Sequence, residues 1–458
     1  MVNCSVFILL FFAGLAVAAE DQYKLILAHA IWRHGERNPA KLMPTDQKNG
    51  RDTWPGGVGQ LTIDGMKNQF KLGEMLKERF LHKTALLDAS YNFEQLHVRC
   101  TDYNRTMISA YSNFAGFFNN GQSAKTIPDK NEVDWPGNWQ PVPVHSVPKP
   151  DDNMLWPLSH CPTVDKIKKE KIYKNPPWSV WEEENKDFIA WVANMSGFRD
   201  LAIENMFRVL DPLHYESIYN DSHTWPDWVN QSTFDQIQNL TFFSDRNLFH
   251  DPKIARLSGG NLLKDMVHRF DGKIACDGKT GTTACDYFNK LKYYAYSAHD
   301  ITIMSVLETF KNAENPRVIG FHKGFPKTAA CLLVELWKSD NQDYFIQVSY
   351  RNSHNDMQFS SITDTVAQCP NDTDYCPYKM FKDGAQPFMP DDWYRECGLE
   401  ANSTVSPATQ APESKKECDN VTYLYIIIAV LAALCAVSCS ALLFVLCCRR
   451  KSSSSRFA

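Results

Sequence analysis

Six side chains of three chemical types follow apolar segments of the sequence, at places where they could act on one substrate. They are Arg33, His34, Arg37, Arg99, His299 and Asp300. Guanidinium groups repel one another when they are brought together, unless an anion lies between them. Their planar donor forks match the oxygens of a phosphate group. The residue types therefore predict a site that binds phosphate.

Each of these groups stands at the end of a predicted strand, and this would bring them together. Residues 23–32 (YKLILAHAIW) are mostly apolar and suit a strand buried on both faces. Further strands are predicted at 95–98 and 293–297. Helices are predicted at 62–80, 102–118 and 301–310, the second with Thr101 or Asp102 as its N-cap. Ligands of open α/β sheets bind beyond the carboxyl ends of the strands, so the six side chains are expected to converge there.

The alternation of strands and helices predicts an α/β fold, a three-layer sandwich around a mostly parallel sheet. Two later segments, 331–337 and 344–350, are separated by a short polar turn and are expected to form a hairpin. Within 119–290 the strands give way to Trp-rich and Pro-rich sequence with helical segments such as 188–210. We expect this part to be an inserted, mainly helical cap above the site.

Composition and motifs narrow the chemistry. The 458 residues include 48 basic and 53 acidic side chains, a net charge of −5 that argues against a nucleic-acid binder. No HExxH, paired Cys-x-x-Cys, G-x-S-x-G or Walker pattern is present. We therefore expect no metal and no cofactor, with cationic side chains in their place. His29, inside the first strand, is expected to be a core residue.

Both ends of the chain predict attachment to a membrane. Residues 1–19 have the apolar run and small-residue boundary of a signal peptide. Residues 423–448 carry no charge and would form a helix of ~39 Å, enough to span the hydrocarbon layer. Basic residues open the tail 449–458, which favours a single-pass type I anchor over a GPI signal. Residues 20–400 would then be a lumenal or extracellular domain, in the lysosome or at the cell surface, joined by a polar stalk at 401–422.

Cysteines and glycosylation motifs fit that side of the membrane. Nine cysteines lie in the predicted ectodomain and stalk, so at least one is free or pairs between chains. Cys276 and Cys285 are close in sequence and are expected to bridge. Cys418 could join two chains as a homodimer. Glycosylation is predicted at Asn194, Asn220, Asn230, Asn239 and Asn371. The motif at Asn104 lies between two site segments and is expected to be unused.

Longer strings around the candidate residues resemble a known family. Residues 30–39 (AIWRHGERNP) match the R-H-G-x-R-x-P signature of the histidine acid phosphatases, of the histidine phosphatase superfamily. Residues 59–66 resemble its G-Q-L-T-x-x-G-M segment and residues 296–300 its Y-S-A-H-D segment. Residues 99–106 resemble its R-S-T-D-x-x-R-T segment, with Cys100 in place of Ser. The match runs in order through most of 23–400, and the predicted leader and anchor make it most similar to the lysosomal and prostatic branch.

The resemblance implies hydrolysis of phosphate monoesters in two steps at acidic pH. His34 would attack phosphorus and form a phosphohistidine. Asp300 would protonate the leaving oxygen and then help to activate water. The groups that hold the phosphoryl oxygens would be Arg33, Arg37, Arg99 and His299. The substrate itself is left open among small esters, lipid phosphates, phosphotyrosine and phytate.

The resemblance also implies disulfides. Cys161 would pair with Cys397, and Cys369 with Cys376. Cys331 lacks its usual family partner, because Tyr215 stands at that position, so it is expected to be free or to pair elsewhere. Cys100, next to Arg99, is expected to be a free thiol at the rim of the site.

Two other functions use the same residues. A binding ectodomain could hold phosphorylated ligands without turnover, and a mutase-type phosphoryl transferase would share the nucleophile. The presence of both His34 and Asp300 favours the enzyme over the binding module. The predicted signal peptide and anchor disfavour the transferase.

Overall fold

The computed structural model describes residues 23–119, 126–128, 133–310 and 325–399. The predicted signal peptide, stalk, membrane span and tail lie outside the described residues. Within these ranges, no helix has the length and the apolar character that a membrane span requires.

One mixed sheet forms the centre of the fold. Its strands are β1 (Tyr23–Arg33), β2 (Leu96–Thr101), β3 (His145–Val147), β4 (Tyr293–Ala298), β5 (Cys331–Ser339), β6 (Tyr344–Arg351), β7 (Ser360–Ser361) and β8 (Cys376–Pro377). Their order across the sheet is β3-β2-β4-β1-β5-β6-β7, and β8 pairs with β6. Strands β3, β2, β4 and β1 are parallel to one another, whereas β5 to β8 join in antiparallel pairs.

The prediction of a mostly parallel sheet is thus confirmed for β1 to β4 and wrong for β5 to β8. The predicted hairpin is present as β5 and β6, and it adds to the edge strand of the parallel half. Its antiparallel pairing follows from its short connection, since parallel neighbours need a long crossover. Only the parallel half has carboxyl ends that meet at one edge, and the candidate residues come from that half.

Helices cover both faces of the sheet. The α-helices of the described residues are α1 (Ile63–Lys77), α2 (Asn104–Phe117), α3 (Pro162–Ile167), α4 (Trp178–Ser196), α5 (Phe207–Ile218), α6 (Gln231–His250), α7 (Pro252–Ser258), α8 (Gly260–Cys276), α9 (Thr283–Lys290), α10 (Asp300–Thr309), α11 (Tyr378–Ala385) and α12 (Trp393–Glu396). Side chains of α1 and α2 pack in one core cluster with the sheet, and those of α8, α10 and α11 in another. The arrangement is therefore helix, sheet, helix.

Strand β1 contributes to both clusters because its side chains alternate between the two faces. Ile31 belongs to the cluster with α8 and α10, and Trp32 to the cluster with α1 and α2. The Trp32 indole donates to Ser297 Oγ on β4 at 3.0 Å, and Ser297 Oγ donates to the Thr106 carbonyl on α2 at 2.7 Å. These bonds fix the end of β1 relative to both neighbouring elements.

A third cluster belongs to the segment expected to be the cap. Helices α4, α5 and α6 pack around buried apolar side chains that include Val192, Leu213 and Ile237. The helix expected over 188–210 is in fact two helices. Gly197 ends α4 with φ of 81°, a left-handed conformation that glycine adopts without a Cβ penalty.

The cysteines pair as expected among the described residues. The disulfides are Cys161–Cys397, Cys276–Cys285 and Cys369–Cys376. Cys331 and Cys100 are unpaired and buried. Cys100 is fully buried within β2, so the expectation of a thiol at the site rim is wrong. Burial raises the pKa of its thiol to about 12, which keeps it protonated and unreactive.

The asparagines of the predicted glycosylation sites are accessible. All five residues, Asn194, Asn220, Asn230, Asn239 and Asn371, are exposed. Asn230 also caps α6, where its Oδ1 accepts from the Thr233 amide at 2.9 Å. An exposed amide is what glycan attachment requires, and use of these sites remains a prediction.

His29 lies in the core, as expected. Its side chain is fully buried, and both ring nitrogens lack a hydrogen-bond partner among the described residues. The ring packs edge-on against Phe270 at 4.8 Å between centroids. Burial, with a contribution from Arg269, lowers its pKa well below 6.5. The folded protein therefore holds a neutral imidazole at a pH where the unfolded chain binds a proton.

We predict that His29→Leu stabilises the ectodomain, and does so more at pH 5 than at pH 7. Below pH 6.5 the unfolded wild type gains a proton that the folded state excludes, so its stability falls as the pH falls. This loss approaches about 1.4 kcal/mol per pH unit. Urea unfolding at both pH values would measure the difference. An equal change at both pH values would contradict this account.

Candidate active site

Main-chain hydrogen bonds place His34 at the carboxyl edge of the parallel strands. Arg33 is in register with Ala298 at the ends of β1 and β4. The His34 amide donates to the Ala298 carbonyl at 3.0 Å, and its carbonyl accepts from the Ala329 amide at 3.2 Å. The residue is only 2% exposed. Its backbone is therefore held between β4 and the start of β5.

Two glycines let the loop after His34 lie directly against α1. A Cβ on Gly35 would be 2.1 Å from the Gly65 carbonyl oxygen, and a Cβ on Gly65 would be 2.0 Å from the Glu36 carbonyl oxygen. Neither space admits a methyl group. The Gly35 amide also donates to Ser109 Oγ on α2 at 3.1 Å. This contact explains why glycine is needed in both the RHG and the GQLTxxGM segments.

One hydrogen bond sets the tautomer of His34. Its Nδ1 lies 2.8 Å from the Gly35 carbonyl oxygen. A carbonyl oxygen can only accept, so the proton of the neutral ring is on Nδ1. The lone pair is then on Nε2, the nitrogen that could act as a nucleophile.

Arg33 and Asp300 form an ion pair beside this ring. Arg33 Nη2 lies 2.9 Å from Asp300 Oδ2, and Nη1 donates to the Pro326 carbonyl at 2.8 Å. Asp300 is the first residue of α10, and its Oδ1 accepts from the Ile301 amide at 2.8 Å. The ends of β1 and β4 thus deliver one cation and one carboxylate to the same place.

Arg37 is paired with a carboxylate from the helical segment. Asp211 on α5 accepts two hydrogen bonds from its guanidinium, at 3.1 and 2.7 Å, and a third from the Ala40 amide at 2.7 Å. The guanidinium also lies 5.0 Å from the Tyr215 ring centroid. Burial opposes charge on both partners, but the pairing outweighs it, so the pKa of Asp211 is lowered and that of Arg37 is raised. Sequence reasoning missed Asp211, which is far from Arg37 in the chain and in no motif.

Arg99 does not lie with the candidate residues that follow β1 and β4. Strand β2 runs on through Thr101, so Arg99 lies within the strand and not after it. Its side chain donates to Asp152 at 2.8 Å and to the Met154 sulfur at 2.9 Å. Asp152 is 1% exposed, and the pair is a buried structural ion pair.

Arg105, near the start of α2, is the third arginine near His34. After burial, it makes the largest contribution to the lowered pKa of His34, ahead of Arg33 and Arg37. Arg99 is absent from these contributions. The signal was present in the sequence, because Arg105 is the second arginine of the R-S-T-D-x-x-R-T segment. An arginine in the first turn after β2 is positioned like the residues that follow β1 and β4.

A chain of hydroxyl groups holds His299. Thr106 Oγ1 donates to the main-chain carbonyls of Thr101 and Tyr103, and Thr101 Oγ1 donates to Thr106 Oγ1 at 3.1 Å. Thr101 Oγ1 then accepts from His299 Nε2 at 2.9 Å. The rings of His299 and His34 meet edge-to-face with centroids 5.5 Å apart.

Burial and the nearby cationic side chains keep both imidazoles neutral. Burial, followed by Arg105, lowers the pKa of His34 and of His299 well below 6.5. Burial and the nearby Arg37 lower the pKa of Arg105 to about 10. The guanidinium groups therefore repel one another, and a bound anion would reduce this repulsion.

The helical segment adds two titratable groups. Desolvation, with a contribution from Asp300, raises the pKa of Asp245 on α6 to about 8. Desolvation, with a contribution from Arg33, lowers the pKa of His214 on α5 to about 4. Both groups are therefore uncharged at pH 5 to 7. Within the described ranges, no cluster of three or more His, Cys, Asp or Glu could hold a metal ion.

The arrangement agrees with comparisons to known proteins. A family model described as histidine phosphatase superfamily (branch 2) matches residues 24–351. The chain belongs to the histidine phosphatase superfamily (branch 2). It is accordingly an enzyme, a phosphatase of the acid phosphatase type.

Relatives and solved structures extend the likeness over most of the chain. Lysosomal acid phosphatase of Rattus norvegicus is 31% identical, over 87% of this chain and 85% of that protein. Prostatic acid phosphatase of Homo sapiens is 30% identical, over 85% and 92%. Hafnia alvei phytase shares the fold at 15% identity, with a TM-score of 0.56 over 83% of this chain and 100% of that one. Citrobacter braakii phytase gives 0.53 at 16%, over 82% and 99%.

The two arginines of the R-x-T-D-x-x-R-T segment should respond differently to substitution. Arg105→Met should weaken binding of inorganic phosphate by about 10-fold to 100-fold, because a charge-assisted contact contributes roughly 1.5–3 kcal/mol. Arg99→Met should mainly destabilise the fold, by roughly 3 kcal/mol, because it leaves Asp152 buried without its partner.

Calorimetric titration with phosphate and urea unfolding would separate these effects. Arg99→Lys is a second variant that keeps the charge if Arg99→Met does not fold. A greater loss of phosphate affinity at Arg99 than at Arg105 would contradict the assignment.

Proposed function

We propose that the protein hydrolyses phosphate monoesters through a phosphohistidine on His34. The observation that carries this proposal is the unprotonated Nε2 of a buried imidazole near Arg33, Arg37 and Arg105. The guanidinium groups around the ring disfavour its protonation and attract an anion. A phosphoryl group is an anion whose phosphorus accepts an electron pair.

The first step would transfer the phosphoryl group to the protein. The Nε2 lone pair forms a bond to phosphorus as the bond to the ester oxygen breaks, and that oxygen takes a proton from Asp300. The guanidiniums and His299 would stabilise the charge that spreads over the phosphoryl oxygens. Arg33 pairs with Asp300 at 2.9 Å, so phosphate would compete for that guanidinium and release the carboxyl group toward the leaving oxygen.

The second step would return the protein to its starting state. Asp300, now ionised, removes a proton from water as the water oxygen attacks phosphorus. The N–P bond breaks, its electron pair returns to Nε2, and orthophosphate leaves. One carboxyl group thus serves as acid and then as base. Splitting the reaction in this way replaces one difficult barrier by two lower ones.

The pKa shifts suit an acidic environment. The pKa of His34 is lowered, so the nucleophile stays unprotonated as the pH falls below 6.5, where a free imidazole would be lost to protonation. The first step also consumes a proton, which the Asp300 carboxyl group would deliver to the leaving oxygen. Activity should therefore persist at acidic pH and fall as the pH rises.

We also propose the location of the enzyme. The predicted signal peptide and span, three disulfides and five exposed glycosylation motifs fit a domain in the lumen or outside the cell. The relatives named lysosomal and prostatic acid phosphatase support the same side of the membrane. A single-pass type I anchor and a homodimer through Cys418 remain proposals.

The proposed role of His34 as nucleophile can be tested by trapping the phosphorylated protein. Wild-type ectodomain quenched during turnover of ³²P-labelled ester should carry acid-labile, base-stable label, and His34→Ala should carry none and lack activity. His268→Ala, an exposed histidine on α8, is the control and should behave as wild type. EDTA should not change the rate of p-nitrophenyl phosphate hydrolysis. Label that persists in His34→Ala would exclude this residue as the acceptor.

The proposed role of Asp300 as general acid can be tested by varying the leaving group of the substrate. Asp300→Asn should slow hydrolysis of glycerol phosphate, whose alkoxide needs a proton, by about 100-fold or more. It should slow p-nitrophenyl phosphate by less than about tenfold, because that leaving group departs as an anion. The exposed Asp64→Asn is the matched control. Equal slowing of both esters would show that Asp300 does not protonate the leaving oxygen.

A further inference from the structure

A lysine and two aromatic rings lie beside the proposed phosphoryl site and have no part in the mechanism above. Tyr103 and Trp156 each meet the His299 ring edge-on, with centroids 5.2 and 5.1 Å away. Their own centroids are 5.5 Å apart. Together they form an aromatic shelf, defined as Tyr103 and Trp156, that begins at a residue expected to touch the phosphoryl oxygens.

Lys149 rests on this shelf. Its ammonium lies 4.5 Å from the Trp156 centroid and 5.1 Å from the Tyr103 centroid, within the range of cation–π attraction. The residue is exposed and forms no ion pair among the described residues. Its charge contributes to the lowered pKa of His299, so it lies within electrostatic reach of the site.

Tyr103 connects this lysine with the phosphoryl site. The Arg105 guanidinium carbon lies 4.2 Å from the Tyr103 centroid, so two cations share one ring. Arg105 is among the cations around His34, whereas Lys149 is further along the shelf and open to solvent. When the phosphoryl group of a substrate is bound near Arg105, its leaving group would extend over the shelf toward Lys149.

We propose that Lys149 is a specificity residue that binds a second anionic group on the leaving group. The preferred substrates are then phosphomonoesters whose leaving group carries a carboxylate or a further phosphate, spaced from the ester by a ring or short chain. The inference rests on the proposed phosphatase function and names a substrate class for it. The gain is electrostatic and solvent-exposed, so it is modest and weakens with added salt.

The test compares phenyl phosphate with its 2-, 3- and 4-carboxyphenyl analogues at pH 6 and low salt. The ratio of kcat/KM for each analogue to kcat/KM for phenyl phosphate cancels any general effect of a variant. In the wild type, at least one isomer should exceed phenyl phosphate by about fivefold, and 0.5 M NaCl should reduce this preference.

Lys149→Met should abolish that preference, and Lys149→Arg should retain it. Lys379→Met is the control for loss of one positive charge. Lys379 is exposed on α11, which follows β8, and β8 pairs with the end of β6 that lies away from the site. An unchanged ratio in Lys149→Met, or no isomer preferred by the wild type, would overturn the role of Lys149. Failure of the wild type to hydrolyse phenyl phosphate would instead overturn the phosphatase proposal, and this inference with it.

Discussion

The accumulation of buried positive charge around one imidazole is the constraint on which the rest of the structure depends. Three guanidiniums near His34 repel one another, and burial removes the water that would screen them. The protein compensates two of them with its own carboxylates, Asp300 for Arg33 and Asp211 for Arg37. Arg105 has no such partner within the described part of the chain, and its lowered pKa shows the remaining cost. A bound phosphoryl dianion would supply the missing negative charge.

The sheet brings these charges together at little cost in conformational freedom. Parallel strands β1 and β4 end side by side, and main-chain hydrogen bonds fix His34 between β4 and β5. Gly35 and Gly65 then allow the loop to lie against α1 without a Cβ between them. His34 is therefore positioned by rigid elements, and the helices α4 to α6 supply partners such as Asp211.

Most of this architecture could be predicted from the sequence, since apolar strand segments and the motifs that resemble the family are local signals. Prediction from the sequence failed where the position of a side chain depends on the residue at which a strand ends. Strand β2 continues for three residues beyond the predicted end, which turns Arg99 toward Asp152 and leaves Arg105 for the site. The same extension buries Cys100. Asp211 could not be predicted, because its contact with Arg37 depends on how two distant segments pack.

The pairing of Arg37 with Asp211 has a consequence for the end of the reaction cycle. Three unopposed guanidiniums would hold orthophosphate so tightly that its departure would limit the rate. Asp211 accepts hydrogen bonds from Nη1 and Nη2 of Arg37 and so offsets part of its positive charge. A carboxylate at this place would therefore lower the affinity of the site for orthophosphate. By this account, the pairing of Arg37 with Asp211 would limit how long orthophosphate stays in the site after the last step.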